Sequence, residues 1–94
     1  MKYLVNGTLS PGKSREDLTA HMKGSTLSDE AWDLIRKGVI SEHGYKIGSR
    51  LGFVFVIEGA SEEAVRSTLS RIPLLRDGWF TIEIDPFSPF PPAS

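Results

Sequence analysis

The sequence predicts an α+β domain: an antiparallel four-stranded sheet with two helices on one face. Three observations predict it. The chain has 94 residues, 39% hydrophobic and 24% charged, which suits one small globular domain and leaves no room for two. Period-two or continuous apolar segments recur along the chain, bounded by Gly, Pro and Ser clusters. Segments with helical spacing fall between them, so the order reads strand, helix, strand, strand, helix, strand.

The first strand is Lys2–Leu9, rich in β-formers and stopped by Ser10-Pro11-Gly12. Tyr3, Val5, Gly7 and Leu9 share one face; Leu4, Asn6 and Thr8 share the other. Ser14 then caps a helix, with Asp17 in the capping-box position and Leu18 and Met22 one turn apart. Gly24-Ser25-Thr26 interrupts the pattern, which resumes at Leu27, Ala31, Leu34 and Ile35. This is either one kinked helix or two, the second capped by Ser28 with Asp29 and Glu30 at its positive end. Gly38 suits the position just past its C-terminus.

Residues 39–47 alternate again. Val39, Ser41, His43, Tyr45 and Ile47 lie on one face, and Ile40, Glu42, Gly44 and Lys46 on the other. Gly48-Ser49-Arg50 turns the chain into a third strand, 51–58, apolar on both faces and therefore central. Ser61 caps the next helix, Val65, Leu69 and Ile72 form its stripe, and Pro73 ends it. A fourth strand, 79–85, carries Phe80, Ile82 and Ile84 on one face and Trp79, Thr81, Glu83 and Asp85 on the other. The domain is expected over 1–85, followed by an extended Pro/Phe-rich tail, 86–94. This is the ferredoxin-like, split βαβ arrangement. With helices on one face only, the apolar residues on the other need a cover, and a second copy of the sheet supplies it. A homodimer or larger homo-oligomer is expected.

Several function classes are excluded at this level. A formal charge of −1 argues against a phosphate-tracking surface, so nucleic acid is not an expected partner. With no cysteine there is no disulfide, thiolate metal site or cysteine nucleophile. The longest apolar run, Phe53-Val54-Phe55-Val56-Ile57, is too short to cross a bilayer, and no secretory signal is evident, so a cytoplasmic protein without a membrane partner is expected. His21 and His43 are too far apart in sequence to suggest a metal cluster, and Gly48 and Gly52 lack the context of a phosphate loop, so neither metal nor cofactor is expected.

Three segments, in this order, carry a resemblance: His43-Gly44-Tyr45-Lys46-Ile47-Gly48-Ser49, Ile72-Pro73-Leu74-Leu75, and Ile82-Glu83-Ile84-Asp85 with a proline-bearing tail behind it. Together they resemble the muconolactone isomerase family. The resemblance implies a dimeric α+β barrel and cofactor-free movement of a proton within a small unsaturated lactone. It also implies subunit rings in which the C-terminal tail reaches a neighbour. Relatives on this fold include polyketide cyclases and cofactor-free monooxygenases.

The candidate site residues follow from their chemistry. An imidazole takes and returns a proton near neutral pH, so His43 is the first candidate base, against the plainer reading of a hydrogen-bonded strand histidine. Tyr45 is a hydrogen-bond donor for a developing enolate, or a sheet aromatic packed across strands. Glu83, with Asp85 and Glu42, offers a carboxylate base if buried, or an exposed polar face. His21, near the apolar stripe of the first helix, is a second candidate base. Arg50 and Lys46 are candidates to hold a substrate carboxylate. Asn6, with Thr8, would add polar contacts inside a pocket, and Trp32 and Trp79 would wall it or pack in the core. The leading expectation is a cofactor-independent isomerase-type enzyme acting on an unsaturated lactone or polyketide-like carbonyl compound. A cyclase, dehydratase or monooxygenase on the same fold is the first alternative. A non-enzymatic small-molecule-binding or assembly module is the second.

Overall fold

A computed structural model describes residues 1–22 and 28–88. Within them the elements run β1 (Lys2–Leu9), α1 (Arg15–Met22), α2 (Asp29–Arg36), β2 (Ile40–Lys46), β3 (Gly52–Glu58), α3 (Glu62–Leu69), α4 (Pro73–Arg76) and β4 (Phe80–Phe87). The sheet order is β2-β3-β1-β4 and every neighbouring pair is antiparallel. This is the expected ferredoxin-like α+β fold.

Register decides which face each side chain takes, because residues directly opposite share a face. Val5 stands between Phe55 and Ile84, Tyr3 opposite Ile57, and Gly7 between Phe53 and Ile82. These residues form the face under the helices. They make one buried cluster with Ala31 and Leu34 of α2, Val65 and Leu69 of α3, and Ile72. Val5, Ile57 and Val65 are completely buried, each contributing about 1.5–3 kcal/mol of transfer free energy. Leu4, Asn6, Thr8, Val54, Val56, Lys46, Glu83 and Asp85 lie on the opposite, helix-free face.

The helix starts are set by serine caps. Ser14 Oγ accepts from the Asp17 amide at 3.0 Å, Ser28 Oγ from Ala31 at 3.3 Å and Ser61 Oγ from Ala64 at 3.1 Å. Each satisfies an amide that has no partner inside its helix. Gly38 follows α2 with φ of 79°, a left-handed conformation that glycine adopts without strain.

The first helical region carries α1 and α2, one of the two readings expected; the break at Gly24-Ser25-Thr26 and the stripe residue Leu27 lie outside the described residues. The structure differs from expectation at three places. In β2 a bulge between Ile40 and Glu42 changes the alternation, so Ile40 joins His43 and Tyr45 on the helix-covered face. Pro73 does not simply end the helix before it. α3 stops at Leu69, and Pro73 opens the short α4, a first-turn position where its missing N–H costs nothing. Finally, β4 runs two residues beyond Asp85, through Pro86 to Phe87. An edge strand tolerates a proline that a central strand would not.

Candidate functional site

Between the helices and the sheet lies a cavity of about 300 Å³, at the small end of the ~300–1,000 Å³ typical of small-molecule pockets. Its floor is the end of the sheet nearest the β2–β3 connection, with Tyr45, Phe53, Phe55 and Phe80. Its roof comes from Leu18, Thr19 and Met22 of α1, Ser28 and Ala31 at the start of α2, and Leu74 and Leu75 of α4.

Phe53 is the centre of this floor. Its ring lies over Gly7, where any Cβ would collide with it. It packs tilted against Phe55 with centroids 4.6 Å apart, and edge-on to Phe80 at 5.1 Å. Both separations fall in the favourable range for aromatic pairs. The polar groups of the lining are few. Thr19 Oγ1 donates to the Arg15 carbonyl at 2.9 Å, Ser28 Oγ caps α2, and Tyr45 brings the only titratable side chain among the described lining residues.

The sequence candidates divide into three groups. Tyr45 lines the cavity directly, with its side of β2 open to solvent. His43 stands two residues along on the same face, opposite Phe55, and is exposed. Its imidazole meets Trp32 of α2 edge-on at 5.9 Å. Trp32 therefore borders the site through His43 and is not part of the wall.

The second group lies toward the β4 edge of the sheet. His21 of α1 stacks on Trp79 with centroids 4.8 Å apart, and Lys13 Nζ sits 4.5 Å from the same ring. Trp79 precedes β4 and neighbours the lining residue Phe80, so this stack flanks the cavity without entering its lining.

The third group corrects the expectation. Asn6 and Thr8 make no polar contacts inside the cavity, because their position in β1 turns them to the helix-free face. Lys46 reaches them there, donating to Asn6 Oδ1 at 2.8 Å and Thr8 Oγ1 at 2.7 Å. Its chain crosses Gly52, where a Cβ would collide with Lys46 Cε and the Gly7 carbonyl. Glu83 lies opposite Asn6 on this same face and is exposed, as is Asp85, so both take the exposed polar face that was the alternative to a buried carboxylate base. Arg50 donates from Nη2 to the Leu9 carbonyl at 2.6 Å, which ties the β2–β3 connection to the end of β1. Neither Arg50 nor Lys46 lines the cavity.

Sequence reasoning missed Thr19 as a lining group and read Ser28 only as a cap. Neither residue type distinguishes a cavity wall from a helix surface. Among the described residues, no three His, Asp or Glu side chains gather as a metal cluster, and no helix is long and apolar enough to cross a membrane.

A likeness among solved structures belongs beside this geometry. The fold is shared with a solved structure. The structure is 5-chloro-2-hydroxyhydroquinone dehydrochlorinase (TftG) from Burkholderia phenoliruptrix AC1100, solved in complex with 2,5-dihydroxybenzoquinone. It superposes with a TM-score of 0.69 over 94% of each chain at 17% sequence identity. At that identity the likeness is one of fold. No protein-family model and no curated protein matches the chain.

Proposed function

We propose that this protein is a cofactor-independent enzyme that moves a proton on an unsaturated cyclic carbonyl compound held in the helix–sheet cavity. The observation that carries the reading is the placement of Tyr45 in the lining of a mostly apolar cavity, with His43 two residues along on the same strand face. The shared fold supports it, since TftG is a dehydrochlorinase solved with a cyclic dione. The resemblance to the muconolactone isomerase family supports it through the same segment, because His43 and Tyr45 both stand in the first resembling block.

In this reading the imidazole of His43 takes a proton from the carbon next to the carbonyl. The electron pair left behind delocalises onto the carbonyl oxygen, and the Tyr45 hydroxyl donates a hydrogen bond to that oxygen. Return of the proton from His43 to the far carbon of the conjugated system completes an isomerisation. Departure of a leaving group instead would complete an elimination.

The experiment is solvent-deuterium exchange followed by NMR, with unsaturated lactones and 2-tetralone as carbon acids. The protein is expected to accelerate exchange next to the carbonyl. His43→Ala is expected to lose about 10²–10⁴-fold, the range of general-base catalysis, and Tyr45→Phe to lose rate without losing the fold. Unchanged rates in both variants would defeat the assignment. Loss on Glu83→Ala alone would move the chemistry to the helix-free face.

A further inference from the structure

Resting on the reading that the cavity holds the substrate, we infer that it selects an uncharged, flat, ring-based ligand and discriminates against one bearing a carboxylate. The inference comes from what lines the space. Leu18, Met22, Ala31, Leu51, Ile72, Leu74 and Leu75 are aliphatic or thioether walls, and Phe53, Phe55 and Phe80 form an aromatic floor. No Lys, Arg or His stands among the described lining residues.

The two cations that would have answered a carboxylate are committed elsewhere. Lys46 is on the other side of the sheet with Asn6 and Thr8, and Arg50 is bonded to the Leu9 carbonyl. A carboxylate entering this space would lose hydration and meet no opposite charge among the described lining residues, which is unfavourable. A neutral ring loses little. Its faces and edges meet Phe53 and Phe80, which already stand at right angles to each other at 5.1 Å. One hydroxyl or carbonyl group on the ligand finds partners in Tyr45, Ser28 and Thr19, whose oxygens are the polar side-chain groups among the described lining residues. The ligand class is therefore a phenol, quinone or cyclic ketone of one or two fused rings, and a carboxylated lactone is disfavoured.

The test compares 2-naphthol with 2-naphthoate at pH 7, where the first is neutral and the second is an anion of nearly the same shape. Binding is measured by isothermal titration calorimetry on the full chain. 2-Naphthol is expected to bind at least tenfold more tightly. Thr19→Lys places an ammonium in the wall from an exposed helix position, where the fold accepts it. That variant is expected to gain affinity for 2-naphthoate by at least fivefold while 2-naphthol changes less. Equal or tighter binding of 2-naphthoate to the unmodified protein overturns the inference and leaves the cavity as the binding site. Indifference of both ligands to Thr19→Lys also overturns it, since binding is then outside this cavity. If neither compound binds, the reading of the cavity as a substrate site fails, and the inference fails with it.

Discussion

Replacing Gly7 with alanine should destabilise the protein, although the same change usually helps a folded chain. Gly7 sits in regular pairing, opposite Phe53 on one side and Ile82 on the other. On conformational grounds alone, Gly→Ala in a strand stabilises by about 0.4–1 kcal/mol, because glycine has more freedom to lose. Here the added Cβ falls inside the Phe53 ring, touching Cε1, Cζ and Cδ1. Phe53 is 7% exposed and already in contact with Phe55 and Phe80, so it has little room to retreat. Forcing such a shift in a packed core costs about 1–3 kcal/mol. The net expectation is a loss of roughly 1–2 kcal/mol, obtained by setting the steric cost against the entropic gain. In urea, with a slope near 1–2 kcal/mol per molar, the midpoint should fall by about 0.5–2 M at fixed protein concentration. The companion variant is Phe53→Leu, which removes the ring edge that Gly7→Ala strikes. Combining the two should recover at least ~0.5 kcal/mol relative to the sum of the separate losses, beyond the scatter of independent sites. Strict additivity, or a Gly7→Ala variant more stable than the parent, would refute the claim that Phe53 occupies the space over Gly7.

Two further predictions rest on other parts of the molecule. The Lys37 ammonium, 2.9 Å from the Asp33 carboxylate one turn earlier, holds that carboxyl below its ordinary pKa of 3.8. A depressed carboxyl stabilises the fold above its unfolded pKa and loses that contribution as the pH falls through its folded pKa. Carboxyl-carbon NMR should place the Asp33 midpoint below 3.8, and Lys37→Met should raise it; a midpoint indifferent to Lys37 would remove the pair as the cause. On the helix-free face, Leu4, Val54 and Val56 lie together on the two middle strands and invite a second copy of the sheet. Sedimentation at high micromolar concentration should give a dimer that Val54→Glu dissociates. A parent protein that stays monomeric would end that expectation.

The strands and their order were legible because period-two patterning survives wherever one face is buried. The caps were legible for a similar reason, since Ser14, Ser28 and Ser61 each act within one turn of their own position. What the sequence hid was non-local or ambiguous. The bulge after Ile40 adds one residue to one strand, and nothing in Val39-Ile40-Ser41-Glu42 marks where the alternation changes. Pro73 fits both the end of one helix and the start of another; only the return of the chain toward β4 makes it the latter. The site was legible in half. His43 and Tyr45 were placed together on one face, and Lys46 on the other, from alternation alone. The exclusion of Asn6 and Glu83 from the cavity needed the knowledge of which face the helices cover.

The cavity itself follows from two economies in the sequence. The first is Gly7. Across the row Tyr45, Phe53, Gly7 and Ile82, one of the four positions contributes no side chain, and the Phe53 ring leans into the gap. The second is α1. Of its eight residues only Leu18 is buried, while Thr19 and Met22 face the opening without filling it. Ala31, at 1% exposure, adds the smallest buried side chain available to α2. A core built for stability alone would place leucine or isoleucine at such positions and close the space. Apolar voids of this kind forgo contacts on one side, and water gains little by entering them. The cost is borne in the part of the fold with the sparsest roof, next to Tyr45 and His43, where a ligand would restore the missing contacts. That coincidence of underpacking with a Tyr45 hydroxyl in the floor and the Thr19 and Ser28 hydroxyls in the roof makes the space a binding site in this reading.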